Sequence, residues 1–197
     1  VAAELGVGTM SLYRHVPGKA ELLALMLDEV SDPGDSVANA AGRDWRGLLE
    51  LAAHGTYQLY LRHPWLLQVN WTRPALGPNS VAAAEFFISA LDGLGLTDQE
   101  RISLMIMVDG YVTGVARQRI QHSSLAAETG ITDEEFWSQQ YPFLERAMES
   151  GRYPAMAALR EDAFEAGWEE TFEFGLHRIL DGIAALVAIR SGLTPSR

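Results

Sequence analysis

Between Thr9 and Lys19 the chain sets Thr9, Met10, Ser11, Tyr13, Arg14, His15 and Lys19 close together. They offer hydroxyls, a guanidinium, an imidazole, an ammonium and one planar phenol. Such a set suits hydrogen bonding to base edges and to phosphate oxygens. Thr9, Met10, Ser11 and Arg14 are assigned to base edges. Arg14 can donate two parallel bonds to a guanine, which discriminates against the wrong base by about 1–3 kcal/mol. Tyr13, His15 and Lys19 suit phosphates, which fix register and carry little sequence information. Lys19 also opens a further helix, whose first amides favour an anion. Taken singly, each of these residues also reads as an ordinary solvated side chain on a helical hairpin.

A second set lies downstream. Thr56 and Tyr60 fall one helical turn apart, as do Met105 and Asp109; Trp65, Asn70 and Trp71 follow Pro64, and Phe86 faces inward from its own helix. A mostly apolar lining with a few placed polar groups describes a small-molecule pocket. Asp109 stands out as a carboxylate within the otherwise apolar stretch Leu104–Gly114. A buried charge is costly unless paired. Asp109 therefore orients a ligand amine or hydroxyl, pairs with an arginine, or sits at a solvated edge. The aromatics read equally as core packing.

Catalysis finds little support. Asp44, His54, His63, Glu85 and Asp109 are the acid and base candidates, but no nucleophile–base pair, phosphate-cradling loop or metal motif accompanies them. His54, His63, His122 and His177 lack metal-ligand spacing, so neither a metal nor a cofactor is expected.

The elements that must position these residues are nearly all helical in period, which predicts an all-α fold. Short helices are expected at about Val1–Leu5, closed by Gly6, and at Met10–His15, ahead of Pro17 and Gly18. Leu12 and Val16 would hold the second to the body. Helices follow at Lys19–Val30, Asp44–Arg62 and Ser80–Leu91, the last capped by Asn79, with a polar linker over Ser31–Gly42. Thr97 with Glu100 and Thr132 with Glu135 are capping boxes for helices at Asp98–His122 and from Thr132 to Glu149. A short helix near Ala155–Arg160 and a long one at Ala166–Ile189 complete the chain. Two domains are expected: a helix-turn-helix over residues 1–32 and a ligand-binding, dimer-forming domain over 33–197.

Charge sharpens this division. The net charge of −11 argues against general adhesion to nucleic acid. Residues 1–19 hold Arg14 and Lys19 against Glu4 alone, a net +1, whereas the remaining 13 basic and 25 acidic residues give 20–197 a net −12. Only the N-terminal end can meet DNA. The chain has no cysteine, which suits a cytoplasmic protein, and no apolar run approaches the ~18 residues of a membrane span.

The run from Val1 to Leu23 resembles the DNA-binding end of the TetR family of transcriptional regulators. Leu5-Gly6-Val7, Leu12-Tyr13, His15-Val16, Lys19 and Leu22-Leu23 carry the match. The family's first helix is absent, so residues ahead of Val1 are expected in the full protein. The resemblance implies an all-helical homodimer that leaves its operator when a small molecule binds. Downstream, Thr72-Arg73-Pro74 is similar to the loop after the pocket helix of the family's tetracycline-binding member. An ungapped match places Asp35 and Ala52 at that member's drug-reading positions and Val69 at a magnesium-binding position. These departures imply a ligand other than magnesium–tetracycline.

Gly110 and Gly114 permit close helix approach, and the stripe from Phe172 to Val187 is broader than one subunit's core needs. Both favour a homodimer built on Asp98–His122 and the last long helix; the alternative is burial of the stripe within one chain. The functional expectation is a homodimeric repressor that binds double-stranded DNA and is released by a small-molecule effector. The alternatives are a helical small-molecule-binding enzyme and a dimeric binding module without DNA readout.

Overall fold

The computed structural model describes residues 2–4, 6–69 and 76–191, apart from the side chains of Thr9, Leu12, Ala126, Ala127 and Glu161. In chain order the helices are α1 (Thr9–Leu12), α2 (Lys19–Val30), α3 (Gly34–Ala38), α4 (Trp45–Arg62), α5 (Pro78–Ser89), α6 (Asp98–Thr129), α7 (Asp133–Glu149), α8 (Pro154–Ala157) and α9 (Trp168–Arg190). Two 3-10 turns cover Pro64–Gln68 and Glu161–Phe164. No strand occurs among the described residues, and the fold is all-α.

Periodicity explains the core. Leu49, Ala53, Tyr57 and Tyr60 on α4, Leu104, Val108 and Val112 on α6, and Phe172, Leu176, Leu180 and Ile183 on α9 recur every three or four residues and are buried together. Each large apolar side chain so buried contributes about 1.5–3 kcal/mol. The Tyr57 ring stacks on Phe172 at 4.2 Å between centroids. Close approach of α6 and α9 needs Gly175: a Cβ there would lie 2.2 Å from the Tyr111 hydroxyl. That hydroxyl donates to the Phe172 carbonyl at 2.9 Å.

Helix ends follow local chemistry. Asp44 caps α4 by accepting from the Gly47 amide at 2.9 Å, and Pro64 opens the turn that follows. Both expected capping boxes form. The Thr97 amide donates to Glu100 at 2.8 Å, and the Thr132 amide donates to Glu135 at 2.9 Å. Arg190, at the end of α9, donates to the same Glu100 carboxylate. That bond, followed by the Thr97 amide, lowers the Glu100 pKa to about 2. α6 runs on to Thr129, beyond the expected His122.

Three expectations at element level need correction. The stretch read as a linker contains α3, because Asp32 accepts from the Gly34 amide at 2.9 Å and starts a turn of helix. α5 begins at Pro78 rather than under an Asn79 cap. Its acceptor comes from α2: Asp28 takes the Ser80 amide at 2.9 Å and the Ser80 hydroxyl at 3.1 Å. Gly77 makes room, since a Cβ there would lie 2.2 Å from the Asp28 carboxyl carbon. The third lies at the N-terminal end, where regular helix covers only Thr9–Leu12.

α7 stands apart from this core. It buries no residue, and Phe136, Trp137, Tyr141 and Phe143 are exposed along it. Its start is tied to α6 by His122 Nε2, 2.8 Å from Asp133.

Candidate DNA interface and ligand cavity

Residues 2–4 and 6–18 form turns around one short helix. The Val7 amide donates to the Ala2 carbonyl at 3.0 Å and the Gly6 amide to Ala3 at 3.2 Å, with Gly6 at φ +65°. This pair of bonds around a left-handed glycine is a Schellman closure, so Gly6 ends a helical turn as its type requires. Regular helix covers only Thr9–Leu12, not Met10–His15. Tyr13, Arg14 and His15 continue as turns. β-branched and aromatic residues hold a helix weakly, and Pro17 disfavours helical backbone at Val16.

Met10, Ser11, Tyr13, Arg14, His15 and Lys19 are all exposed, Met10 at 79%. Val16 is buried. The side chains of Thr9 and Leu12 lie outside those described. No residue of the described body covers the outward groups, which leaves the expected set accessible to a large partner.

The second site is a cavity of about 260 Å³ beneath α3, between α4, α5 and α6. α4 supplies Thr56 and Tyr60, and α6 supplies Asp109. α3 closes down on α4 at Gly55, whose Cβ would lie 3.0 Å from the Ser36 hydroxyl. Thr113 donates to the Tyr60 hydroxyl at 3.1 Å. Burial pushes the Tyr60 phenol up, and the negative charge of Asp109 adds to this. Asp109 lines the cavity and is exposed, yet protein around it removes enough water to raise its carboxyl pKa. Among the described residues Asp109 makes no ion pair with an arginine.

The other expected pocket residues fall elsewhere. Trp65 borders a separate shallow groove with Leu25, Met26 and His63. Met105 packs against the core, and Phe86 is half-buried on α5 beside the core residue Phe87. Neither Met105 nor Phe86 lines the cavity. Asn70 and Trp71, with the Thr72-Arg73-Pro74 loop, lie outside the described residues. The cavity also takes Ser31, Asp32, Ser36 and Arg62, which the sequence reading passed over. For Ser31, Asp32 and Ser36 the signal was the acidic and hydroxyl content of the stretch read as a linker. Of the three positions singled out by resemblance, Asp35 and Ala52 line the cavity, whereas Val69 does not and packs against the core.

Three of the five histidines, His54, His122 and His177, lie near carboxylates. His54 Nε2 lies 2.6 Å from Glu173, and His177 lies near Glu173 and Glu50 on the α4–α9 face.

An exposed N-terminal turn-and-helix segment attached to a helical body with its own cavity defines a class of one-chain regulators. Residues 38–187 match the tetracyclin repressor-like C-terminal domain, and the chain belongs to the TetR family. It is 53% identical over 192 residues to the HTH-type transcriptional repressor DrrR1 of Streptomyces coeruleorubidus, covering 98% of this chain and 71% of that protein. Among solved structures it is similar to the TetR family protein ActR of Streptomyces coelicolor in complex with actinorhodin. That likeness has a TM-score of 0.70 and 25% identity, over 94% of this chain and 85% of ActR. A possible TetR family regulator of the same organism gives a TM-score of 0.66 at 25% identity, over 94% of this chain and 87% of that one. Among the described residues no helix is long and apolar enough to cross a membrane.

Proposed function

We propose that this chain is a homodimeric repressor that binds a palindromic operator and leaves it when a small molecule other than magnesium–tetracycline enters the cavity beneath α3. Residues 1–32 read DNA and residues 33–197 sense and dimerise, with the end of α2 serving both. The observation that carries this reading is the likeness to a named repressor across 98% of the chain, N-terminal segment included. The exposed set from Met10 to Lys19 supports DNA contact through that segment. The solved relative with a bound small molecule supports an effector in the helical body.

Exposed apolar residues support the homodimer. Ile106 and Met107 on α6, Phe174 and Ile189 on α9, and the aromatics of α7 are exposed. A second copy that buries them would place two reading segments on half-sites about one helical turn, ~34–36 Å, apart. Release follows if the effector binds better to the arrangement with the wrong spacing.

A mobility-shift assay with the full-length protein and DNA from upstream of its own gene tests the reading. A shift with a palindromic fragment, steeply weakened by salt, is expected. Absence of a shift on any such fragment at low salt would sink it and leave a binding module or an enzyme.

A further inference from the structure

We infer that the cavity beneath α3 selects a cationic ligand: a protonated amine carried on an apolar frame. The inference deepens the effector reading and rests on it. Three carboxylates face the space, Asp32 and Asp35 from the α2–α4 connection and Asp109 from α6. Among the described residues one guanidinium, that of Arg62, lines it with them. Asp32 spends part of its capacity on the Gly34 amide at 2.9 Å. Asp35 and Asp109 have no ion pair among the described residues. A second guanidinium, Arg117, acts near the Tyr60 phenol, but it does not line the cavity and reaches toward the Leu67 carbonyl at 3.5 Å.

The rest of the wall says what accompanies the charge. Val30, Ala52, Leu59 and Ala83 give an apolar surface, and Thr56 and Tyr60 give neutral hydroxyls. Asp109, partly desolvated by the protein around it, carries an electrostatic cost that no partner among the described residues meets, and the exposed Asp35 and Asp32 add negative charge at the rim. An ammonium between Asp35 and Asp109 would offset it, while an anion would add to it. Loss of solvent at Asp109 already raises its carboxyl pKa, as expected for a carboxylate lacking a counter-charge.

Three fluorescent probes with one dansyl ring and matched chains separate charge from shape: dansylcadaverine, its N-acetyl derivative, and N-dansyl-6-aminohexanoate. Each is titrated into the full-length protein while dansyl emission is followed. Dansylcadaverine is expected to bind at least about tenfold tighter than the neutral probe, with the carboxylate weakest. Asp35→Asn and Asp109→Asn should each shrink that ratio several-fold and leave neutral-probe binding in place. Asp35 is exposed, so its variant keeps the test open if Asp109→Asn fails to fold. Equal or reversed preference, a preference unmoved by both variants, or no saturable binding of any probe overturns the inference. Operator binding is measured in parallel. A charge preference without an operator shift removes the effector reading alone, and an operator shift without a charge preference removes this inference alone.

Discussion

Arg14 and Lys19 sit five residues apart on one exposed segment, but their chemistry assigns them different work. A planar fork reads an edge, whereas an ammonium on a flexible stem meets a phosphate as a point charge. Arg14→Ala is therefore expected to weaken operator binding by about 1–3 kcal/mol and to relax preference at one base pair, read by mobility shifts on single-substituted operators. Lys19→Ala should weaken cognate and random DNA alike and lower the salt slope by about one. Equal losses from both variants on both DNAs would remove these separate roles. Residue type made such groups visible in the sequence, because charge and hydroxyl content need no coordinates. Helical spacing brought out Thr56, Tyr60 and Asp109 for the same reason, and all three line one cavity. Trp65, Met105 and Phe86 were harder. An aromatic or a methionine fits a core as well as a pocket, and only packing decides between them.

The elements were legible where their signals are local. Both capping boxes lie within four residues, and the stripes of α4 and α9 are periodic within single helices. The start of α5 was not legible, because Asp28 and Ser80 are 52 residues apart. Asn79 offered the local solution, and the tertiary one prevailed. Asp28→Ala should cost about 0.5–2 kcal/mol, the usual worth of a lost cap, read as a lower midpoint in chemical denaturation. Asp28→Asn should recover part of the loss, since its carbonyl can still accept from Ser80. α3 escaped notice because one turn of helix has no periodicity to detect, and its start depends on the short-range bond from Gly34 to Asp32. The helix-turn-helix was legible by its motif, while its regular portion proved shorter than the motif suggests.

At the scale of the whole molecule, charge and apolar surface point in different directions. The acidic body repels DNA, and the near-neutral tip must approach first. In the proposed reading, the exposed apolar residues of α6, α7 and α9 meet a second copy of the same acidic chain. Phe174 is 65% exposed on α9, and Arg178 lies over its ring at 5.5 Å. Sedimentation is expected to show a dimer at micromolar concentration, and Phe174→Glu should shift it toward monomer without changing helical content by circular dichroism. A wild-type monomer at all concentrations would remove the homodimer.

The Asp28–Ser80 pair gives the molecule a shared anchor. Ser80 borders the cavity, and Asp28 rides on the helix that begins at Lys19. In the proposed reading, a single carboxylate thus links whatever occupies the chamber to the tip that faces the double helix. A guest that claimed the Ser80 hydroxyl would loosen the mooring of the reading end without ever touching it.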